Sequence, residues 1–424
     1  MAIVYSEQEI SLLRRLAERW MEIATKPIMK ARKQGWRDVK DLRSGNPMIH
    51  LECSCIENFV RDDEIICRDG RLRNVEKLMR QKIRQDEIIG DDMVLEPFFQ
   101  LAWKVGKSNF GIDIVEKHIE GSMAFSYENP IRTPEDIALL RPRTFWVERE
   151  PVLELKDTLE TIFGDILPVR VGNIEILTPD EIGFNPLVGI FHIGIPGDVF
   201  RLIGAENMLY WTIEEPDALL AICEYLRQDR RRLCDFLEKE KIFDVNANGT
   251  NSSASSFGYC SDLPETLDRP ATTHDLWCWG EAQETSTISP AMLEEFYLPA
   301  IGDIASIFGL CYYGCCEPIQ DRMKQIRNAI PNLRAVSVSS WNNMEKAAEA
   351  LGSGLVFSRK PNPVYISGAE AQWDEVRQDV INTLNAAKGM PLEFIIRDVY
   401  NINGELERLT KFVRIIREEC DRLL

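Results

Sequence analysis

The sequence predicts an α/β fold, a (β/α)₈ TIM barrel preceded by a helical N-terminal extension. Three observations predict it. From Met93 onward, short apolar runs alternate with long amphipathic stretches, the rhythm of strands and helices in a parallel sheet. Eight of those runs fit strands. The chain has 424 residues, a length that suits a barrel of roughly 250 residues with insertions.

The extension comes first. Ser6-Glu7-Gln8-Glu9 has the spacing of a capping box, in which the hydroxyl and the carboxylate satisfy backbone donors reciprocally. Leu12, Leu13, Leu16, Trp20 and Ile23 then share one helix face. A second helix is predicted over about Val75 to Arg84. No linker rich in Gly, Ser or Pro follows, so residues 1–92 are expected to pack on the barrel of residues 93–424 or on a partner subunit. The predicted strands are Val94–Leu101, Ile166–Val171, Ile242–Val245, Asp275–Trp279, Leu310–Tyr313, Arg334–Val338, Leu355–Ser358 and Glu393–Arg397. Between them, Ala218–Lys239 carries a stripe of Leu219, Ile222, Cys223, Leu226, Leu233 and Phe236. Pro290–Phe308 opens with Ser289-Pro290, an N-cap followed by proline at the first helical position.

Composition removes several classes of function. A net charge of −18 repels a phosphate backbone, which argues against nucleic-acid binding. The longest apolar runs, such as Pro186 to Phe191, fall far short of the ~20 residues of a membrane helix. The start Met1-Ala2-Ile3-Val4-Tyr5 lacks the basic and apolar regions of a signal peptide. The eleven cysteines are odd in number and irregularly spaced, the pattern of reduced thiols. A cytoplasmic protein is the expectation.

Barrel chemistry gathers at the C-terminal ends of strands. Residues just after the apolar runs include Asn248, Trp279, Glu281, Tyr313, Cys315, Cys316, Glu317, Trp341, Arg359, Lys360 and Tyr400. This mixture of carboxylates, thiols, aromatics and cations suits binding a substrate and handling protons. In Tyr313-Gly314-Cys315-Cys316-Glu317-Pro318 a strand runs straight into adjacent cysteines, which could attack an electrophile, bind metal or simply pack. Glu281 is the first choice for a general acid or substrate ligand, against a salt bridge to Arg359 or Lys360. His192, in a loop rich in Gly and Pro, is a second proton handler or a structural histidine. Arg359 and Lys360 are the candidate grips for an anion.

The stretch Trp279-Gly280-Glu281-Ala282-Gln283, with Ile288-Ser289-Pro290 and Phe296-Tyr297-Leu298-Pro299, resembles the barrel segment of uroporphyrinogen-decarboxylase-like proteins. Lys360-Pro361-Asn362-Pro363, Ile166-Leu167-Pro168-Val169, Gly204-Ala205-Glu206-Asn207-Met208 and Glu215-Pro216 extend the resemblance over roughly residues 95 to 420. That superfamily holds tetrapyrrole decarboxylases and corrinoid-linked methyltransferases. The decarboxylases' N-terminal Arg-Gln-Ala-Gly-Arg-type motif is absent here. The zinc methyltransferases use a His-x-Cys strand end plus a later Cys. Here Tyr313 stands in the histidine's place and no cysteine occurs between Cys316 and Cys420, so zinc, conceivable on Cys315 or Cys316 with Glu281, is not favoured. The resemblance therefore implies a corrinoid-dependent methyltransferase of the O-demethylase type. It would pass a methyl group from a methoxylated aromatic, or another small donor, to the corrinoid (cobalamin) of a partner protein and protonate the leaving group. Glu281, His192, Cys315 and Cys316 are the expected catalytic residues. Trp279, Tyr313, Asn248, Trp341, Tyr400 and Arg359 are expected to bind substrate. A homodimer is implied. The alternatives are a lyase decarboxylating a carboxylated substrate and a non-catalytic barrel that binds a corrinoid or tetrapyrrole.

Overall fold

The computed structural model describes residues 3–52, 54–118, 125–176, 191–246, 249, 253 and 255–424. At its centre is a curled parallel sheet of seven strands. In spatial order they are β1 (Met48–Leu51), β12 (Leu392–Ile396), β11 (Val356–Arg359), β10 (Leu333–Val338), β9 (Leu310–Tyr313), β8 (Trp277–Gly280) and β7 (Phe191–His192). First and last strands lie side by side, and most successive strands are joined through helices, as in a barrel. Among the described residues the sheet stays open between β7 and β1. A second sheet joins β2 (Phe99–Lys107) to β6 (Val169–Ile176) in parallel and to β5 (Phe145–Glu148) antiparallel. A small hairpin pairs β3 (Val115–His118) with β4 (Phe125–Glu128).

Alternation along the strands divides the core. Trp277, Trp279, Leu310, Tyr312, Ala335, Val356 and Ile395 share one cluster, on the concave face, with Trp36 and Phe257. Their neighbours Cys278, Cys311, Tyr313, Val336, Val338 and Phe357 pack outward against the helices. Period-two burial on both faces explains why these strands read as nearly continuous apolar runs.

The N-terminal helices form as the spacing predicts. Ser6 and Glu9 make the capping box of the helix Glu7–Ala24. Leu13, Ala17, Trp20 and Ile23 pack with Leu72, Val75 and Met79 of the helix Gly70–Arg84 and with Phe99 and Phe163. The next helix, Pro27–Lys40, drives its last residue into the core. The Lys40 ammonium, fully buried, meets the Glu393 carboxylate at 2.6 Å and the Ser256 hydroxyl at 2.7 Å.

Several elements differ from expectation. The first strand of the sheet, β1, falls among the helices of residues 1–92, where four residues are too few to show a period. The strand expected from Val94 begins at Phe99, beyond Pro97, and runs on to Lys107. Ile242–Val245 is not a strand; Asp244 instead turns the chain by accepting the Asn246 amide at 2.9 Å. The helix expected over Pro290–Phe308 is two, Pro290–Phe296 and Leu298–Ala305, with Ser289 capping the first and Pro299 opening the second. No described helix is long and apolar enough to cross a membrane.

Candidate active site

The C-terminal ends of the seven strands bring residues from distant parts of the chain to one rim. His192 ends β7. Its side chain is 43% exposed, and its ring stacks on Trp279 of β8 at 4.3 Å between centroids. Gly194 makes this possible: its φ is +54°, and a Cβ there would lie 3.2 Å from the imidazole. Trp279 is fixed in turn by its indole N–H, which donates to the Gly314 carbonyl at 3.0 Å.

Glu281 follows β8 directly. Its carboxylate is 3% exposed and sits 3.3 Å from His192 Nε2. It therefore pairs with His192, not with Arg359 or Lys360. Burial works to raise its pKa, but the His192 hydrogen bond and charge, the Gln283 amide at 3.0 Å and Glu284 outweigh burial and hold it below the ordinary value. Two further carboxyls crowd the pair. Burial and then the Glu281 charge push Glu284 up to about 7. The same two causes push Glu317 up to about 7, although its oxygens accept the amides of Ala282 at 2.9 Å and Cys315 at 2.8 Å. Three carboxyls in one buried site cannot all ionise cheaply. The result is one carboxylate paired with a histidine and two groups that hold protons near neutrality, the arrangement of a proton reservoir. Glu317 joins the ends of β8 and β9 through those two amides and caps no helix.

Gly314 turns the chain sharply after β9 with φ +98°. Cys315 and Cys316 follow, their sulfurs 3.7 Å apart, Cys316 exposed and Cys315 partly so. Ser337 and Ser339, at the end of β10, donate to their carbonyls at 2.8 and 2.9 Å. Across the mouth, Arg397 follows β12. Glu52, after β1, lies 3.7 Å from its guanidinium, and Asp398 lies 3.3 Å away. Trp341 is 75% and Tyr400 55% exposed at the same rim, and the Tyr400 hydroxyl donates to Asp398 at 3.3 Å.

The structure moves three expected residues away from the rim. Arg359 is 1% exposed. Its guanidinium turns into the helix layer, meeting Asp379 at 2.5 Å, Thr383 at 3.2 Å and the carbonyls of Val338 and Lys360. Strand alternation decides this: Arg359 lies one residue from the inward-facing Ser358. It is a structural ion-pair partner, not a substrate grip. Tyr313 points outward for the same reason. Its ring is fully buried, with Glu281 and Glu317 among the charges it feels, so it lines no open pocket. Lys360 folds back into the concave face onto Tyr312 and Ser358, and burial drives its ammonium down to about 7. Asn248 lies outside the described residues.

Glu284, Arg397 and Glu52 were not singled out from sequence. Glu284 was visible as the fourth residue of Glu281-Ala282-Gln283-Glu284, and Arg397 as the final residue of a predicted strand. Among the described residues, no group of three or more His, Cys, Asp and Glu side chains is arranged to hold a metal ion. The two thiols lack a third ligand, so the donor set does not fit zinc. A cavity of about 160 Å³ lies elsewhere. Gly258 and Leu263 in its wall contact Trp277 and Gly309, at the opposite, N-terminal ends of β8 and β9.

Comparison with known proteins gives little to transfer. No protein-family model matches the chain, and no curated protein matches it. Among solved structures, a methyltransferase from Methanosarcina mazei is similar at 12% identity and a TM-score of 0.49, over 91% of this chain and 98% of that one. At that identity and overlap, function is argued from this chain's own residues.

Proposed function

We propose that the protein is a corrinoid-dependent methyltransferase on a (β/α)₈ barrel, moving a methyl group from a methoxylated aromatic to the corrinoid of a partner protein. The observation that carries this reading is the proton store at the rim. Removing a methyl group from an aryl ether leaves a phenolate, which needs a proton. Glu284 and Glu317 hold theirs near neutrality, and the exposed His192, paired with Glu281, can pass one outward. The corrinoid supplies the nucleophile that takes the methyl group. This chain's own part is to bind and orient the ether and to protonate its oxygen. Trp341 and Tyr400, exposed at the mouth, offer faces to an aromatic ring. With Cys316 they leave the β9–β12 side of the rim open to a second protein. The resemblance in sequence to corrinoid-linked barrels supports the same reading, and a homodimer belongs to it.

The test is direct. The protein is mixed with a reduced corrinoid protein and a methoxybenzoate, and the cobalt absorption spectrum is followed. Methylation of the cobalt is expected. Its absence across a broad panel of methyl donors would overturn the proposal. Carbon dioxide release from a carboxylated substrate would replace it with the lyase reading.

A further inference from the structure

The rim holds a second chemical station, joined to the carboxyl cluster through Glu317, whose thiols the proton chemistry does not use. Cys315 and Cys316 are presented by a built elbow. Gly314 takes a φ of +98°, and a Cβ there would come within 3.1 Å of the Ser337 side chain. Glu317 holds the Cys315 amide, and Ser337 and Ser339 hold both cysteine carbonyls. Three of the backbone polar groups that set the direction of the two thiols are therefore held by side chains. The sulfurs lie within hydrogen-bonding reach at 3.7 Å, and the outer one, Cys316, is exposed.

Arg397 supplies the second observation. It is 9% exposed, and among the described residues its buried Nε and Nη1 have no hydrogen-bond partner. Its positive charge acts on both sulfurs. Asp398 at 3.3 Å and Glu52 at 3.7 Å from Nε offset its charge, but neither completes a hydrogen bond to Nη1. A buried guanidinium with spare donors is costly unless an anion completes it. A thiolate at Cys316, which feels this charge, is an anion that can help to complete it.

We propose that Cys316 is a nucleophilic thiolate, hydrogen-bonded by Cys315 and balanced by Arg397, that takes up a soft alkyl electrophile at the rim. In this step the sulfur lone pair forms the S–C bond while the bond from carbon to the leaving group breaks. The leaving group departs with the bonding pair, and the product is a neutral thioether. The charged groups facing Cys316 agree with this assignment. The Cys315 S–H lowers its pKa most; burial, Asp398 and Glu317 oppose, and Arg397 helps. Cys315 moves the other way, raised by its bond to Cys316 and by burial, as befits the donor of the pair.

Iodoacetamide is the probe. The full-length protein is alkylated across about pH 5.5 to 9.5, a range bracketing the ordinary thiol near 8.5, and each cysteine is followed by peptide mass spectrometry. Cys316 is expected to react first, with a midpoint below that of an ordinary thiol. Arg397→Gln is expected to raise the midpoint, and each unit cuts the thiolate fraction below it about tenfold, partly offset by higher intrinsic nucleophilicity. Arg397→Lys should restore most of the effect. Cys315→Ala should raise the midpoint as well. An ordinary midpoint at Cys316, or Cys315 reacting first, would overturn the proposal, and the wild-type profile decides this even if a variant fails to fold. This readout needs no corrinoid. Cobalt methylation with an ordinary Cys316 sinks only the thiolate, and a reactive Cys316 without cobalt methylation sinks only the methyl-transfer reading.

Discussion

Two buried charge clusters meet at the His192 loop and are built on opposite rules. Behind the sheet, Asp229 accepts Arg143 Nε at 3.0 Å and Arg230 Nη1 at 2.7 Å. Asp198 takes Arg230 and Arg201. Arg230 also donates to the carbonyl of Ile193 at 2.8 Å, next to His192. Here signs alternate. Burial opposes ionisation of Asp198, but the arginines overcome it and hold its pKa far below the ordinary range. At the rim, Glu281, Glu284 and Glu317 crowd one histidine without an arginine in the group, and two of them are pushed up to about 7. The first cluster spends charge on holding the His192 loop in place. The second keeps charge unsettled where a substrate can reach it.

The largest expected effect tests the first cluster. Asp229→Ala leaves the buried Arg143 without its carboxylate and takes one of two from Arg230, and should cost about 3–5 kcal/mol in chemical denaturation. A loss below about 1 kcal/mol, the level of a surface pair, would erase the contrast. Glu281→Gln tests the second. It should slow cobalt methylation by about 10²–10⁴-fold while the denaturation midpoint moves little; the reverse pattern would make Glu281 a structural residue. The pH dependence separates the clusters further. Glu284 and Glu317 bind protons more tightly folded, near 7, than at their ordinary 4.5. Their stabilisation is complete below the ordinary value and is lost as pH rises through about 7. Glu284→Gln should flatten that decline, gaining on the order of 1 kcal/mol at pH 8 relative to wild type. An unchanged slope would mean Glu284 does not hold its proton. The smallest effect on activity is expected at Arg359. Arg359→Met should lower stability by about 1–3 kcal/mol and leave the KM for the methyl donor unchanged. A raised KM would return Arg359 to the substrate.

What was legible in the sequence followed from local rules. The Ser6–Glu9 box, the Ser289 cap and β9 to its exact ends all depend on neighbours within a few residues. The rim as a set was legible because strand ends share a side. Which way each residue points there was not, since one step along a strand reverses the face. That is why Arg359 and Tyr313 read as rim residues and Arg397 did not. The Glu281–His192 pair joins residues 89 positions apart by way of two strands, β7 and β8, and β7 has only two residues.

The pairing of Met48 with Glu393 sets a timetable for the newborn chain. Strand β1 leaves the ribosome early, but the neighbour that covers its edge is made some 345 residues later. At about 5–20 residues per second that is a wait of roughly 20 to 70 s. Through that interval Met48-Ile49-His50-Leu51 exposes unsatisfied backbone groups, a template for wrong partners. The helices on either side of β1 can shelter it early, because their mutual contacts need only the first hundred residues. On this view the N-terminal segment serves synthesis as an internal guardian of its own strand, long before the rim it helps to frame exists.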